Sequence, residues 1–244
     1  MIAVGKSVIG LQRKNNEDSI FVSDNDGTLK TFFIVADGMG GHKAGEVASS
    51  MAIDIFKEYI YSKADDYYRE NTLDTLVEGL TKANSELYEL SQKKDEYDGM
   101  GTTFTCAAIR DMTLYIVHVG DSRCYLFRNS VLKQLTRDHS FVMEMVKQGK
   151  LSLSEAQRHP KRNVITRAVG TEKKVKADTV IESLYQGDIL LLCTDGLTTM
   201  IDDKTIQDEL SSGKNAKEML DILIDKANEN GGSDNISAVI IDLR

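Results

Sequence analysis

Three acidic residues, far apart in the sequence, stand next to apolar runs that have the pattern of β-strands. Asp37 and Asp195 each end such a run and are followed by glycine, whereas Asp234 comes shortly before one. If the runs are strands, the three carboxylates lie at sheet edges. The glycine after Asp37 leaves its main-chain carbonyl open, so a divalent cation can take one oxygen from Asp37 and another from Gly38. The pattern indicates a site for more than one metal ion.

The available ligands narrow the choice of metal. The sequence offers carboxylates at these positions and no cluster of His and Cys with the spacing of a zinc site. Hard oxygen ligands favour Mg²⁺ or Mn²⁺ over Zn²⁺. We therefore predict Mn²⁺ or Mg²⁺ as the cofactor.

The order of strand-like and helical patterns predicts the fold that positions these residues. Closely spaced strand patterns favour antiparallel pairing, and helical stripes of apolar residues indicate helices that pack one face on a sheet. Strands, a helix pair, strands, a helix pair and a final strand predict an α+β fold, an αββα sandwich of two antiparallel sheets flanked by helix pairs. In chain order, the predicted elements are a hairpin at 19–36 with its bend at 24–27, helices at 44–63 and 73–93, strands at 102–110, 114–119, 123–127, 131–135, 179–182 and 189–194, helices at 202–210 and 216–228, and a strand at 236–243.

One segment departs from this regular pattern. From His139 to about Lys176 the periodicity weakens into short helical pieces and loop around the only proline, Pro160. Long excursions from well-patterned elements often carry function. We predict a mobile flap at about 139–176 that lies beside the site and shapes the choice of substrate.

The composition excludes several classes of protein. The net charge of −8, from 30 basic and 38 acidic residues, argues against a nucleic-acid partner and against an anionic membrane surface. No apolar run approaches the ~18 residues of a membrane-spanning helix, and the first residues lack the apolar segment of a signal peptide. Three cysteines in strand-like runs, with no C-x-x-C pair, predict reduced packing residues. We expect a cytoplasmic protein without membrane insertion, folded as a single domain over residues 1–244 and monomeric.

Seven short motifs occur in one order along nearly the whole chain. They are RKNNED at 13–18, VADGMGG at 35–41, GTT at 101–103, VGDSR at 119–123, LTRDHS at 135–140, CTDG at 193–196 and GSDN at 232–235. The ordered set resembles the metal-dependent protein phosphatases, the type 2C Ser/Thr phosphatases, in their bacterial form. The resemblance implies an αββα sandwich with the metals at one end of its two sheets, in agreement with the fold predicted from the pattern. It also implies hydrolysis of phosphoserine and phosphothreonine on proteins, by direct attack of a metal-bridged water.

Elementary chemistry supports this reaction. Two divalent cations about 4 Å apart can hold a bridging water, lower its pKa and neutralise the charge of a phosphoryl group that is displaced in line. By resemblance, Asp37 bridges the two metals. The Gly38 carbonyl and, through water, Glu17 serve one ion, whereas Asp195 and Asp234 serve the other.

Other residues of the motifs have less definite roles. The planar guanidinium of Arg13 suits bidentate binding of a phosphate. Asp121 is either the ligand of a third, weaker metal that it shares with Asp195 or an ordinary hairpin corner. Asp18 either supports the metal ligands or caps a turn. For His139 we expect a structural hydrogen bond, and for Asn235 a role in orienting its loop.

The general acid is not identified by the resemblance. Many eukaryotic relatives carry His immediately after the Asp-Gly pair, but this sequence has Met39 there. His42 follows three residues later, where a role in starting the helix is the simpler interpretation. A metal-bound water is then the remaining candidate for the proton donor.

Two other functions compete with a protein phosphatase. A pseudophosphatase or sensor module would use the fold for binding alone, but Arg13 and the three acidic residues are intact. A phosphatase of a small metabolite or of a phosphorylated anti-sigma antagonist is the second alternative. Relatives of the last kind generally lack the Arg13 motif and the long excursion after His139. The expected partners are therefore phosphorylated proteins, the substrates of a Ser/Thr kinase.

Overall fold

The structure is a computed structural model that describes residues 1–23, 30–40 and 44–244. The hairpin bend predicted at 24–27 and the helix-start role predicted for His42 lie outside these residues. The described chain forms two antiparallel sheets that pack face to face and carry helices on both outer surfaces. The prediction of an α+β fold with an αββα sandwich is confirmed.

The first sheet, sheet A, combines both ends of the chain with its middle. From edge to edge its strands are β1 (Ile2–Val8), β11 (Ile236–Asp242), β10 (Ile189–Cys193), β7 (Arg123–Arg128) and β8 (Val131–Gln134). Every residue of β10 and β11 is buried. Both strands are covered on two faces, by helices and by the second sheet, which explains why their sequences are continuous apolar runs.

The second sheet, sheet B, contains Asp18 and Asp37. In spatial order its strands are β2 (Asp18–Val22), β3 (Thr31–Met39), β5 (Phe104–Arg110), β6 (Thr113–Val119) and β9 (Asp178–Ser183), and the short β4 (Gly101–Thr102) pairs with the end of β3. Strand β9 lies at the edge and alternates between half-buried and exposed residues, as a strand with one solvated face does.

Each sheet is covered by its own helices. Sheet B is covered by α1 (Ala44–Ser62) and α3 (Thr72–Lys93), joined by the short α2 (Asp65–Glu70). Sheet A is covered by α6 (Asp195–Thr198), α7 (Asp203–Leu210) and α8 (Ala216–Glu229). The apolar stripe predicted for α3 is buried at Leu76, Leu80 and Leu87. None of the described helices is long and apolar enough to cross a membrane.

The described residues form three buried apolar clusters, one in each space between layers. Two lie between a sheet and its helices, and the third lies between the two sheets, around Val35, Leu190 and Val239. Cys106, Cys124 and Cys193 are buried and free, one in each cluster. The prediction that they are reduced packing residues is confirmed.

The predicted flap contains two short helices, α4 (Phe141–Lys147) and α5 (Leu153–Arg158). Both ends of the segment are fixed to the body of the protein. The His139 N–H donates to the Gly120 carbonyl at 2.7 Å, and an isolated bridge pairs Val169 with Thr102. A second bridge, between Ser140 and Ile165, joins two parts of the segment to each other. The helical pieces were predicted from the sequence, and the mobility of the segment stays a prediction.

Candidate active site and metal centre

Asp37 lies near the end of β3, directly opposite Asp18 of β2. Its main chain is held on both sides by the GTT motif. The Asp37 N–H donates to Thr103 Oγ1 at 2.8 Å, and Thr102 Oγ1 donates to the Asp37 carbonyl at 2.9 Å. Since backbone and side chain of one residue move together, these two threonines fix where the Asp37 carboxylate can lie.

Gly38 and Gly45 make room for Glu17. A Cβ on Gly38 would lie 2.0 Å from the Gly45 carbonyl oxygen, and a Cβ on Gly45 would lie 2.7 Å from Glu17 Oε2. The Glu17 carboxylate therefore contacts the first turn of α1, where the helix dipole favours an anion. The Gly38 N–H donates to the Glu17 carbonyl at 3.1 Å, so the main chain of Glu17 is tied directly to β3.

Asp234 and Asp195 come together because their loops touch. A Cβ on Gly196 would lie 1.9 Å from the Asn235 carbonyl oxygen. The Asn235 side chain accepts from the Glu17 N–H at 2.8 Å and donates to the carbonyl of Asn15 at 2.9 Å. These contacts fit the orienting role predicted for Asn235, because they join the C-terminal loop to the N-terminal motif.

Arg13 reaches the same loop from the N-terminal motif. Its Nη2 lies 2.7 Å from Asp234 Oδ2, and its side chain is 51% exposed. The hydrogen bond and the charge of Asp234 raise the pKa of the Arg13 guanidinium, and the charges of Glu17 and Asp37 add to this effect. Arg13 is thus a cation at the mouth of an acidic site, with donors still facing solvent.

Asp121 is brought to the site by the turn after β6. Gly120 has a φ of +111°, a backbone angle that favours glycine, and it turns the chain so that Ser122 Oγ lies 2.7 Å from Thr103 Oγ1. Thr103 therefore connects the Asp121 turn to the main chain of Asp37. The charge of the neighbouring Asp195 contributes to the raised pKa of Asp121.

The acidic residues of the site are half-buried and lie close to one another. Burial raises the pKa of Asp37 well above its usual range, and the charges of Asp18 and Asp195 raise it further. Burial, then the charge of Asp195, raises the pKa of Asp121 to about 8. Burial, then the charge of Asp234, raises the pKa of Asp195. A divalent cation among these carboxylates would offset both the burial and the mutual repulsion.

Asp18 lies beneath the site rather than at a surface turn. Burial raises the pKa of its carboxyl to about 7, Thr194 Oγ1 donates to its Oδ2 at 2.9 Å, and its Oδ1 is buried without a hydrogen-bond partner among the described residues. Of the two roles left open by the sequence, support of the metal ligands fits this position. A cap of an exposed turn does not.

The residues of the site have the chemistry that a divalent cation needs. The carboxylates and the main-chain carbonyl of Gly38 are hard oxygen ligands of the kind that Mg²⁺ and Mn²⁺ prefer. Within residues 1–23, 30–40 and 44–244, no three His, Cys, Asp or Glu side chains are arranged to hold one metal ion. An ion held here would complete its shell with water, as Mg²⁺ and Mn²⁺ readily do.

His139 has the structural role that the sequence suggested. Its Nδ1 accepts from the Gly120 N–H at 3.1 Å, so the proton of the neutral ring is on Nε2. This Nε2 lies 3.2 Å from Asp178 Oδ2, an electrostatic contact rather than a well-aligned hydrogen bond. Burial lowers the pKa of His139. The ring thus holds the Asp121 turn at Gly120, whereas Thr103 holds it at Ser122.

Sequence reasoning missed several residues that hold the site together. Thr103 and Ser122 belong to quoted motifs but received no role, and Gly45 was not singled out. Arg123 binds Asp138 through Nε (3.0 Å to Oδ1) and Nη2 (2.7 Å to Oδ2). The only signal for this pair was that both residues lie within the resembling motifs, since nothing in their spacing shows that β7 and the residues after β8 meet.

The comparisons with known proteins agree with this geometry. The sequence profile described as protein phosphatase 2C matches residues 5–239. The chain is also 39% identical over 233 residues to the Serine/threonine phosphatase stp of Listeria monocytogenes serotype 4b, which covers 96% of this chain and 92% of that protein. The chain belongs to the protein phosphatase 2C family.

Solved structures give the same result for the fold. The serine/threonine phosphatase PstP/Ppp of Mycobacterium tuberculosis superimposes with a TM-score of 0.90 at 35% identity, over 100% of this chain and 98% of the other. The catalytic domain of PstP in complex with two manganese ions gives a TM-score of 0.86 at 33% identity, over 99% and 97%. The predicted function, a Ser/Thr protein phosphatase of a metal-dependent family, is confirmed, and a pseudophosphatase is not favoured.

Proposed function

We propose that the acidic cluster is the metal centre of this phosphatase. In this assignment Asp37 would help to hold two ions. The Gly38 carbonyl and, through water, Glu17 would help to hold one of them, and Asp195 and Asp234 would help to hold the other. The observation that carries the proposal is that the fold brings half-buried carboxylates together at one end of both sheets, where desolvation and mutual repulsion raise the pKa values of Asp37, Asp121 and Asp195. Such crowding is costly unless a cation compensates it.

We propose Mn²⁺ or Mg²⁺ as the physiological ion, with a third and weaker ion between Asp121 and Asp195. The all-oxygen ligand set supports these metals over Zn²⁺, and a solved relative is in complex with two manganese ions. When bound, the ions supply a water of lowered pKa and positive charge for the phosphoryl oxygens. The charge of Asp195 on Asp121 supports the third site.

The protein's own residues then bind and orient the substrate. Arg13 binds the phosphoryl oxygens, because its guanidinium is exposed at the mouth of the site and presents a fork of donors. Asp234 holds Arg13 in place at 2.7 Å. Met39 has no ionisable proton to donate, so the leaving oxygen takes its proton from water in the site rather than from a side chain after the Asp-Gly pair.

The substrates that we propose are phosphoserine and phosphothreonine residues of proteins modified by a Ser/Thr kinase. Relatives at 35–39% identity are named as Ser/Thr phosphatases, which supports this class. We also propose that the chain acts as a monomeric single domain in the cytoplasm. Its three free, buried cysteines suit a reducing compartment such as the cytoplasm. The apolar clusters that join each sheet to its helices and the two sheets to each other support a single domain.

A panel of phosphopeptides tests the proposed function. Peptides that differ only in carrying phosphoserine, phosphothreonine or phosphotyrosine are assayed with Mn²⁺, with Mg²⁺ and with a chelator. We expect phosphate release from the first two peptides, much less from the third, and none in the chelator. Release that persists in the chelator, or that is confined to phosphotyrosine, would contradict the proposal.

A further inference from the structure

A cleft of about 410 Å³ opens beside Met39, the residue that follows the Asp37-Gly38 pair. We call it the Met39 cleft. Its other walls come from residues 165–168, 171–172 and 174–176, the last part of the predicted flap. A cleft of this size lies within the range of small-ligand sites, roughly 300–1,000 Å³, and it can hold one or two side chains of a peptide.

The walls of the cleft are held in place by the rest of the fold. Thr102 and Val169 exchange two main-chain hydrogen bonds, at 3.0 and 2.8 Å. Asn84 of α3 is buried, accepts from the Gly170 N–H at 2.9 Å and donates to the Glu172 carbonyl at 3.0 Å. The cleft is therefore formed before any substrate binds, and binding loses little conformational freedom.

The cleft is positively charged in a protein of net charge −8. Lys174 and Lys176 line it, are exposed and make no ion pair with any residue that the structure describes. Arg167 is already paired with Asp178 at 2.8 Å. Glu172 is the one acidic side chain in the lining. The lining therefore carries two lysine ammonium groups outside any ion pair and one carboxylate, and this excess of positive charge favours an anionic occupant.

The position of the cleft relates it to the substrate. Asp37 and Met39 lie two residues apart in β3, so their side chains point to the same face and their Cα atoms lie about 7 Å apart. An extended peptide advances about 3.3 Å per residue. A side chain in the cleft therefore belongs to a residue about two or three positions from the phosphorylated residue.

We propose that the Met39 cleft binds an anionic side chain of the substrate, two or three residues from the phosphoserine or phosphothreonine. The inference rests on the proposed function and adds a substrate preference to it. Met39, Ile165 and Val175 contact the apolar stem of this side chain, and Lys174 and Lys176 bind its charged end. A carboxylate and a second phosphate share this chemistry, and the test separates them.

Phosphothreonine peptides of one length test the preference. One set carries Glu at positions −3, −2, +2 or +3 from the phosphothreonine, a second carries Gln there, and a third carries a non-hydrolysable phosphonate. The measured quantity is kcat/KM for the anionic peptide divided by kcat/KM for its Gln counterpart, at low salt. We expect this ratio to exceed one at one or two of the four positions. The anionic group that gives the larger ratio, the carboxylate of Glu or the phosphonate, is the group that the cleft prefers.

Charge reversal then locates the preference in the cleft. The double variant Lys174→Glu/Lys176→Glu should lower this ratio about fivefold to tenfold, because two surface ion pairs are lost and two like-charge contacts are created. The matched control is Lys173→Glu, an exposed lysine of the same segment that does not line the cleft. We expect it to leave the ratio unchanged.

Hydrolysis of a small aryl phosphate separates this inference from the proposed function, since such a substrate has no side chain to place in the cleft. A ratio of one at every position in the wild-type protein would contradict the proposed role of the Met39 cleft and would leave the proposed phosphatase function unaffected. An equal fall of the ratio in Lys173→Glu and in the double variant would also overturn it, because long-range charge would then explain the preference. The metal centre is tested separately, because hydrolysis of the aryl phosphate should be lost in the chelator whatever the role of the Met39 cleft.

Discussion

At the scale of single residues, the site depends on carboxylates that the fold forces together. Burial and repulsion raise the pKa of Asp37, Asp121 and Asp195, so in the absence of a cation these residues lower the stability of the fold. Their supports are short side chains with defined partners, such as Thr103 and Ser122, at 2.7 Å from each other. The arrangement of the site therefore also depends on buried residues that lie behind the carboxylates.

Asp121→Asn tests the third ion. The substitution removes one charge next to Asp195 and leaves the core pair of ions intact, so we expect calorimetry to show two tightly bound Mn²⁺ ions and the loss of a weaker one. Turnover should fall by about tenfold to a hundredfold, and millimolar Mn²⁺ should not restore it fully.

Asp111→Asn is the matched control for this substitution. Asp111 is an exposed corner of the hairpin between β5 and β6, at the other end of the same strand as Asp121. We expect it to behave as wild type. Equal metal stoichiometry and affinity in Asp121→Asn and wild type would return Asp121 to the role of an ordinary hairpin corner.

Arg13→Ala should weaken phosphate binding without removing metal. We expect KM for phosphopeptides and the inhibition constant of inorganic phosphate to rise about tenfold, because a charged hydrogen bond to the phosphoryl group is lost. Arg13→Lys should restore part of this effect, since an ammonium cannot form the fork. The neighbouring, exposed Lys14→Ala serves as control. If phosphate inhibits all four proteins equally, Arg13 does not bind the phosphate.

At the scale of elements, a buried carboxylate joins two helices of the outer layer. Glu209 near the end of α7 accepts from Lys214 at 2.8 Å and from Lys226 of α8 at 3.3 Å. Burial alone would raise the pKa of Glu209, but the hydrogen bonds and charges of the two lysines outweigh it and lower this pKa. These two ion pairs therefore stabilise the fold at pH values above the usual carboxyl pKa. Their contribution is lost as pH falls through the lowered pKa of Glu209.

Glu209→Gln should lower the free energy of unfolding at pH 7 by about 1–2 kcal/mol, measured by urea denaturation in the presence of Mn²⁺. As pH falls through the lowered pKa of Glu209 the two proteins should converge, because the wild-type carboxyl then becomes protonated. The exposed Glu229→Gln at the end of α8 is the control. A stability difference that is independent of pH would contradict an electrostatic role for Glu209.

The flap is an element whose tip can be tested separately from its fixed ends. Residues 142–163 contain most of α4 and all of α5, whereas Ser140 and Ile165 are bridged to each other at the base of this tip and Val169 is bridged to Thr102. Replacing 142–163 with a short Gly/Ser loop should change the relative rates on different phosphoproteins more than the rate on an aryl phosphate. An equal loss on all substrates would indicate a structural role for the tip.

Periodicity predicted most elements because their burial is one-sided or complete. The stripe of α3 and the apolar runs of β10 and β11 could be recognised for this reason. The helical turn of α6, which begins at Asp195, could not. Four residues are too few for a period, and this turn depends on the contact between Gly196 and the loop of Asn235, which is distant in sequence.

At the scale of the whole molecule, the sandwich brings distant segments to one end of two sheets. The N-terminal strand β1 pairs with the C-terminal β11, and this pairing places the loop of Asp234 beside Arg13, 221 residues away in the sequence. That the acidic residues of the motifs meet at one site could be predicted from the resemblance. The raised pKa values of Asp37, Asp121 and Asp195 could not, because they depend on how the two sheets are stacked.

The most direct test of the metal centre is the Mn²⁺-dependent turnover of a phosphothreonine peptide by Asp37→Asn. We expect turnover to fall by roughly three orders of magnitude relative to wild type, because the shared ligand of the ion pair is lost. In the chelator the variant should melt at the wild-type temperature or above it, since one buried, repelled carboxylate has been removed. A correctly folded Asp37→Asn protein with near wild-type turnover in Mn²⁺ would contradict the account.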